Sequence, residues 1–483
     1  MENFGALITR LRKMPSETEW VEFKHNNYRP DMIGEDVSAL ANGAALLDKP
    51  FAYMVWGVHD KTHEVVGTDV TPKSLLVGNQ EFENWLRSLL SDNAELDIYE
   101  TVYEEKAVAI IKVAKAVSRP VSFKKMEYVR VGSYTKKLSE VPSRQAQLWE
   151  KLRQSRFENG VAEFNVRSDD VVSKLDTQAY FDNLGRKYPG TADGVLEYLS
   201  LEHLIELQDD GLYSILNSGA ILFAKKLSMF PRVKRKAIRV IRYYGEDRLA
   251  SSKEEEIDAG YAVDFEGLIR LVKAMIPSEE VIGSALREER NSYPSIAIRE
   301  IVANALIHQD FSVVGAGPMI EIFNHHIEVT NPGSPMVDLD RIIDAPPCSR
   351  NEDIAALMRR MRVCEEKGTG WDKIALSCEM SELPAPRIRR YETGTRVIIY
   401  AKREFANLSN DDREWACYMH ACLRFVNNVE YMSNSSLRMR FGLGTGAQST
   451  ISKLIKKTME AGLIKPLDAT AAPRYMRYVP WWA

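Results

Sequence analysis

At 483 residues, with 45% hydrophobic and 27% charged side chains, the chain has the make-up of an ordinary globular protein and exceeds what one core supports, so several domains are expected. A formal net charge of −4 excludes a global polycation, and any contact with nucleic acid must come from local patches. No run of about eighteen apolar residues is present to cross a membrane, Met1–Gly5 lacks a signal-peptide pattern, and five cysteines without a Cys-x-x-Cys pair suit a reducing cytoplasm rather than a zinc or disulfide scaffold.

Residues 1–14 predict a short helix bearing Arg10, Arg12 and Lys13. Trp20 to Lys24 alternates apolar and charged residues, so a strand here places Glu22 and Lys24 on one face and Val21 and Phe23 in a core. Ile33 to Leu47 has helical spacing, and Phe51 to Val58 is a continuous apolar run, hence a central strand. A strand–helix–strand unit brings Asp60 toward Glu17 and Glu22, with Lys24 beside them at a sheet end. Clustered carboxylates repel unless a cation compensates. Mg²⁺ or Mn²⁺ is the matching hard cation, its bound water can attack a phosphodiester, and Lys24 would steady the scissile phosphate. The competing reading leaves Glu17 and Glu19 solvated and Asp60 as a turn cap before Lys61. Further on, Leu86–Leu90 reads as a second helix, and residues 97–103 and 107–113 as a hairpin. Lys24, Lys61, Lys124, Lys125, Arg130, Lys136 and Lys137 could then form a basic rim for a phosphate backbone.

Glu17-x4-Glu22-Phe23-Lys24, the Gly57-Val58-His59-Asp60-Lys61 strand end, Val65-Val66-Gly67 and Tyr128 to Thr135 resemble the Schlafen-type AlbA domain over about residues 15–140. In bacteria that domain is labelled DNA-binding or divergent AAA; in animal Schlafen proteins it is a metal-dependent endoribonuclease acting on tRNA and rRNA. The resemblance implies Glu17, Glu22 and Asp60 as the metal-holding catalytic acids, with His59 standing where many relatives have a first aspartate.

Residues 141–204 read as a helical connector. Leu212 to Ala224 predicts a strand running into a buried helix, Ile238–Gly245 an alternating strand, and Lys253–Asp258 a solvated charged stretch. After Pro294, which suits a helix start, Glu300, Asn304 and His308 recur every four residues and share a helix face. Met319–Phe323 and Ile327–Thr330 form a hairpin leading to Asn331-Pro332-Gly333. A helix follows from Asp353 to Met361, then Gly368-Thr369-Gly370 opens another near Trp371, where backbone amides can meet an anion. Ile388–Tyr391 and Val397–Tyr400 complete a mixed sheet.

This order resembles the GHKL ATP-binding fold over roughly residues 205–403, in the divergent branch that bacteria fuse behind Schlafen-type AlbA domains. The resemblance implies ATP as ligand. It also implies an N-box of Glu300, Asn304 and His308, an adenine-side loop of Asn331 and Gly333, and phosphate glycines Gly368 and Gly370. Asn331 replaces the family's aspartate, so the contact to the adenine amino group loses its charge assistance.

In the tail, helices are expected over 412–426, 433–441 and 447–461, then strands at 463–466 and 474–479, the winged-helix order. Residues 433–483 hold eight Lys/Arg against two Asp/Glu, and Lys453, Lys456 and Lys457 would line the outer face of the third helix.

The expected whole is a multidomain α/β (α+β) chain: an AlbA-type module (1–140), the connector (141–204), a GHKL-like sandwich (205–403) and a winged helix (411–483). As a function it suggests a metal-dependent endonuclease for structured RNA such as tRNA, regulated by ATP, a pairing suited to bacterial anti-phage defence. The alternative is an ATP-responsive DNA-binding transcription regulator in which the three acids are dispensable. Members of both families self-associate, so a homo-oligomer is expected.

Overall fold

The computed structural model describes residues 4–14, 18–132, 134–154, 156–277, 279–282, 287–290, 293–346, 348–364, 370–427 and 430–483. They fall into two compact units, Met1–Ser168 with Ile205–Leu216, and Asp169–Leu204 with Asn217–Ala483.

In the first unit Val21–Lys24 lies parallel to Phe51–Trp56, joined by the helix Pro30–Leu46, as the apolar pattern predicts. The sheet continues antiparallel through Lys106–Ala114 to Leu96–Tyr103. Every residue of Phe51–Trp56 is buried because both faces are covered, which is why the strand reads as a continuous apolar run. On one face Ile33, Val37 and Leu40 of the long helix meet Met54 and Trp56. On the other, Leu7, Ile8 and Leu11 of the helix Phe4–Arg12 meet Val21, Phe23, Tyr53 and Val55. Gly43 permits the long helix to sit against the chain just before the first strand, since a Cβ there would lie 2.0 Å from the Glu19 carbonyl oxygen.

Two boundaries differ from expectation. The helix Pro142–Gln154 sends Leu148 and Leu152 into the first unit's core, and the supposed connector contains a strand, Val161–Val166. That strand pairs with Tyr213–Leu216, itself paired with Ile205–Leu207, so residues 205–216 belong to the first unit and do not open the second. The physical reason is Lys112. Its ammonium is buried and donates to Asp210 at 2.5 Å and to Gln208 and Asn165 at 2.7 Å each. A buried charge must be paired, and residues 205–216 supply the pair.

The second unit is built on a six-stranded sheet in the order Ser252–Ile257, Ile238–Tyr243, Met319–Ile322, His326–Pro332, Gly394–Tyr400, Arg387–Arg390. Only the second and third strands in this order run parallel; the other neighbours are antiparallel. Lys253–Asp258, read as a solvated charged stretch, is indeed largely exposed, and all but its last residue belongs to an edge strand, Ser252–Ile257: Glu254 reaches Arg239 on the neighbouring strand at 2.6 Å, and charge is what keeps an open edge from pairing further. The helices Ser295–Ile307 and Gly370–Met380 pack together over the sheet.

The tail contributes helices Asn410–Val426, Asn434–Arg440 and Gln448–Glu460 and a two-stranded hairpin, Ile464–Pro466 with Tyr478–Pro480, in the expected order. The second hairpin strand falls later than residues 474–479, because Pro473–Tyr475 forms a 3₁₀ turn instead. Glu379, near the end of the Gly370–Met380 helix, fastens the tail: it accepts from His420 Nδ1 at 2.7 Å and faces Arg440 Nε at 3.5 Å.

The buried Lys112–Asp210 pair should be costly to break. Asp210→Ala is expected to lower first-unit stability by ~3 kcal/mol, whereas Lys112→Met with Asp210→Leu restores much of it. Urea unfolding of the single and double variants checks this.

Candidate functional site

The four-residue spacing on the Ser295–Ile307 helix does bring its polar residues to one place. Glu300, Asn304 and His308, just past the helix end, all line a cavity of about 840 Å³. The start of the Gly370–Met380 helix forms the adjoining wall. A Cβ at Gly370 would lie 3.1 Å from Glu300 Oε2 and 3.3 Å from Asn304 Nδ2, so a larger residue there would push against the ends of that pair. The sheet contributes Val329, Asn331, Thr395 and Val397.

Asn331 is buried, with Nδ2 donating to the Pro332 carbonyl at 3.3 Å. Gly333, expected at the adenine side, is not on the cavity wall; at φ +97° it turns behind it, where Thr395 Oγ1 donates to its carbonyl at 2.7 Å. Gly368 lies outside the described residues.

Thr395, Arg359 and Trp371 are among the wall residues that sequence reasoning missed. Thr395 is the cross-strand partner of Asn331, a pairing visible only once the register is known. Arg359 and Trp371 also line the cavity, and the buried Trp371 Nε1 has no hydrogen-bond partner among the described residues. His308 is exposed at the cavity, yet the protein atoms crowded around its ring desolvate it and, with Arg350 adding to that, hold its imidazole below the ordinary histidine range. Asp372, in the first turn of the Gly370–Met380 helix, is pushed up to about 6 by burial.

The acidic cluster at the first sheet is arranged differently from expectation. Glu22 and Lys24 do share a face, and Val21 and Phe23 fill the opposite core. Lys24, nearly buried, does not face solvent: it bridges Glu22 at 2.8 Å and Asp36 at 2.9 Å. Burial works against its charge, but Asp36 and Glu22 outweigh that and raise the ammonium above the usual lysine value. The other Glu22 oxygen accepts from Arg130. Asp60 is exposed, four residues beyond Phe51–Trp56, with His59 Nδ1 at 3.3 Å. Glu17 lies outside the described residues. Among those described, no three His, Cys, Asp or Glu side chains are grouped to hold a metal ion, and Glu22 with Asp60 as they stand do not fit one.

Of the basic rim, Lys61, Lys125, Lys136 and Lys137 are exposed, and Lys124 pairs with Asp31 at 2.7 Å. Arg130 leaves the rim: it is 1% exposed, because Glu22 needs a partner in the interior. Lys453, Lys456 and Lys457 are exposed on the Gln448–Glu460 helix, with Glu460 3.8 Å from Lys456. Among the described residues no helix is long and apolar enough to cross a membrane.

The family model described as "Schlafen, AlbA_2" matches residues 17–139, and that described as "Putative ATP-dependent DNA helicase recG C-terminal" matches residues 315–399. The chain thus carries a Schlafen AlbA_2 segment and a GHKL-like ATPase segment; the C-terminal helices lie beyond both matches. No curated protein matches. Among solved structures, the Corynebacterium diphtheriae protein DIP2311 aligns over 99% of this chain and 96% of its own, at 14% identity and a TM-score of 0.41.

The raised carboxyl of Asp372 has a definite sign. Its folded value lies above the ordinary aspartate value of 3.8, so the unfolded chain releases the proton first and stability falls as pH rises from about 4 to about 6. Asp372→Asn is therefore expected to melt higher than wild type at pH 7.5, with the difference gone below pH 4, as thermal melts at both pH values will read.

Proposed function

We propose that this chain, joining a Schlafen AlbA_2 segment to a GHKL-like ATPase segment, binds nucleic acid and has its state set by ATP. The observation that carries the reading is the convergence of Glu300, Asn304, Asn331 and Gly370 on one cavity, with the Gly370 backbone set close beside the Glu300–Asn304 pair. A nucleotide there supplies a polyphosphate and a purine, with Mg²⁺ as the usual companion of the phosphates. The start of the Gly370–Met380 helix offers backbone N–H groups to the phosphate end. Asn304 and Glu300 stand on the same side, suited to a hydrated cation. Asn331 and Thr395 suit the purine end, and the neutral Asn331 amide accepts from an amino group more weakly than a carboxylate does. Exposed lysines of the first unit and of the Gln448–Glu460 helix supply sequence-independent attraction for a phosphate backbone.

Metal-dependent endonuclease activity on structured RNA such as tRNA is the second reading, supported by the Schlafen match and by exposed Asp60. It requires Glu22 to leave Lys24 or Arg130, and for that reason it stands second. Were the chain to cut, nucleotide control of a toxic activity would suit a defence effector.

Asn304→Ala is expected to weaken ATP binding at least tenfold by calorimetry with the fold intact; unchanged affinity overturns the nucleotide site. Incubation with tRNA and Mn²⁺ separates the two readings. No cleavage, with nucleic-acid binding retained, is the expected result; cleavage lost in both Glu22→Ala and Asp60→Ala puts the nuclease first.

A further inference from the structure

The six-stranded sheet has a second populated face. Glu256, Arg239, Met319, Thr330 and Arg396 are successive cross-strand partners and therefore project from one face in a row. All five line a concavity of about 480 Å³. One step along the strands, Asn331 and Thr395 take the other parity and line the nucleotide cavity. The two hollows thus lie back to back, and Asn331 borders both.

The second hollow is rich in cations. Arg239 is held by Glu254 at 2.6 Å and Arg396 by Glu328 at 3.1 Å, but Lys234 and Arg235 are exposed and meet no carboxylate among the described residues. Beside them runs the loop Gly315-Ala316-Gly317. A Cβ on Gly317 would lie 2.5 Å from the Arg235 carbonyl oxygen and 3.0 Å from that of Ala237, so glycine is what presses the loop onto the basic segment. Buried Lys236 fixes it further, donating to the Val313 carbonyl at 2.7 Å and to that of Ala316 at 3.1 Å. The backbone N–H groups of Gly315, Ala316 and Gly317 make no hydrogen bond among the described residues. At the opposite rim Tyr391 is 40% exposed, with the Arg396 guanidinium 4.8 Å from its ring centroid.

Free cations, unpaired amides on a glycine loop and an aromatic ring beside a guanidinium are the parts that hold a phosphodiester strand with an unstacked base. We propose that this hollow binds the backbone of a single-stranded nucleic acid, behind the nucleotide cavity and separate from it. The inference rests on the nucleic-acid half of the proposed function and moves part of that contact into the ATPase-like unit.

Fluorescence anisotropy of the full chain with a labelled twelve-residue oligothymidylate or oligouridylate, over a salt series and with ATP present, tests it. Lys234→Ala with Arg235→Ala should weaken binding about tenfold and reduce the slope of log affinity against log salt by roughly 1.4, that is about 0.7 for each phosphate no longer neutralised. Tyr391→Ala should weaken binding with the slope unchanged, and ATP affinity should hold in both variants. Inorganic pyrophosphate and uridine monophosphate as competitors separate a strand from a free phosphate: displacement of the oligonucleotide by either at micromolar concentration would make this a small-anion site and overturn the proposal. It is equally overturned by an unchanged slope in the double variant, or by ATP affinity falling in parallel. Lys136→Ala with Lys137→Ala is the control for the first unit. A loss of binding confined to that variant leaves nucleic-acid binding intact and removes this pocket from it, whereas a loss confined to the Lys234/Arg235 variant upholds the pocket and removes the first-unit rim.

Discussion

The strand His326–Pro332 sits inside the six-stranded sheet with neighbours on both sides, and a strand so placed sends alternate side chains to opposite faces. That alternation is the constraint on which the second unit depends. Val329 and Asn331 are committed to the face under the helices, Thr330 to the open face, and a one-residue slip of register would exchange them. The register is pinned by apolar burial on the helix side, where Ile320, Val329 and Ile399 are almost inaccessible. It is pinned on the open side by charge, where Arg248 reaches Glu321 at 2.6 Å and Glu328 at 2.7 Å. The same geometry that builds the core therefore delivers a polar cavity and a basic hollow to fixed addresses.

A second, independent constraint governs the first unit. Arg130, Glu22, Lys24 and Asp36 form a continuous chain of opposite charges that is nearly closed to solvent, tying the first strand to the long helix and to the Met126–Val131 strand. Such a chain serves structure as it stands: each carboxylate is satisfied by a cation, and none is left to gather a metal. Removing one member leaves its neighbours unpaired in the interior, an expensive state. Catalysis through Glu22 would have to draw on that same chain, and so stability and nuclease chemistry compete for one carboxylate.

Periodicity made much of this legible. The strand–helix–strand start follows from an alternating stretch, a helical stretch and an apolar run; the cavity trio follows from a spacing of four between Glu300, Asn304 and His308. What stayed hidden depends on partners remote in sequence. Lys112 interrupts an otherwise apolar strand, and nothing local says that residues 205–216, about a hundred positions later, neutralise it. Arg130 reads as one more member of a basic rim until Glu22, 108 positions earlier, is found beside it. Ser252–Ile257 carries so many charges that it reads as solvated chain, although an edge strand has the same composition for its own reason.

Nucleotide binding, on this reading, takes place between the sheet and the helices Ser295–Ile307 and Gly370–Met380, and the rest follows from that placement. Hydrogen–deuterium exchange with and without saturating ATP and Mg²⁺ addresses it most directly. Protection concentrated in those two helices and in the strand carrying Asn331 is the predicted result; exchange there unaltered by nucleotide, at concentrations where binding is complete, would contradict it.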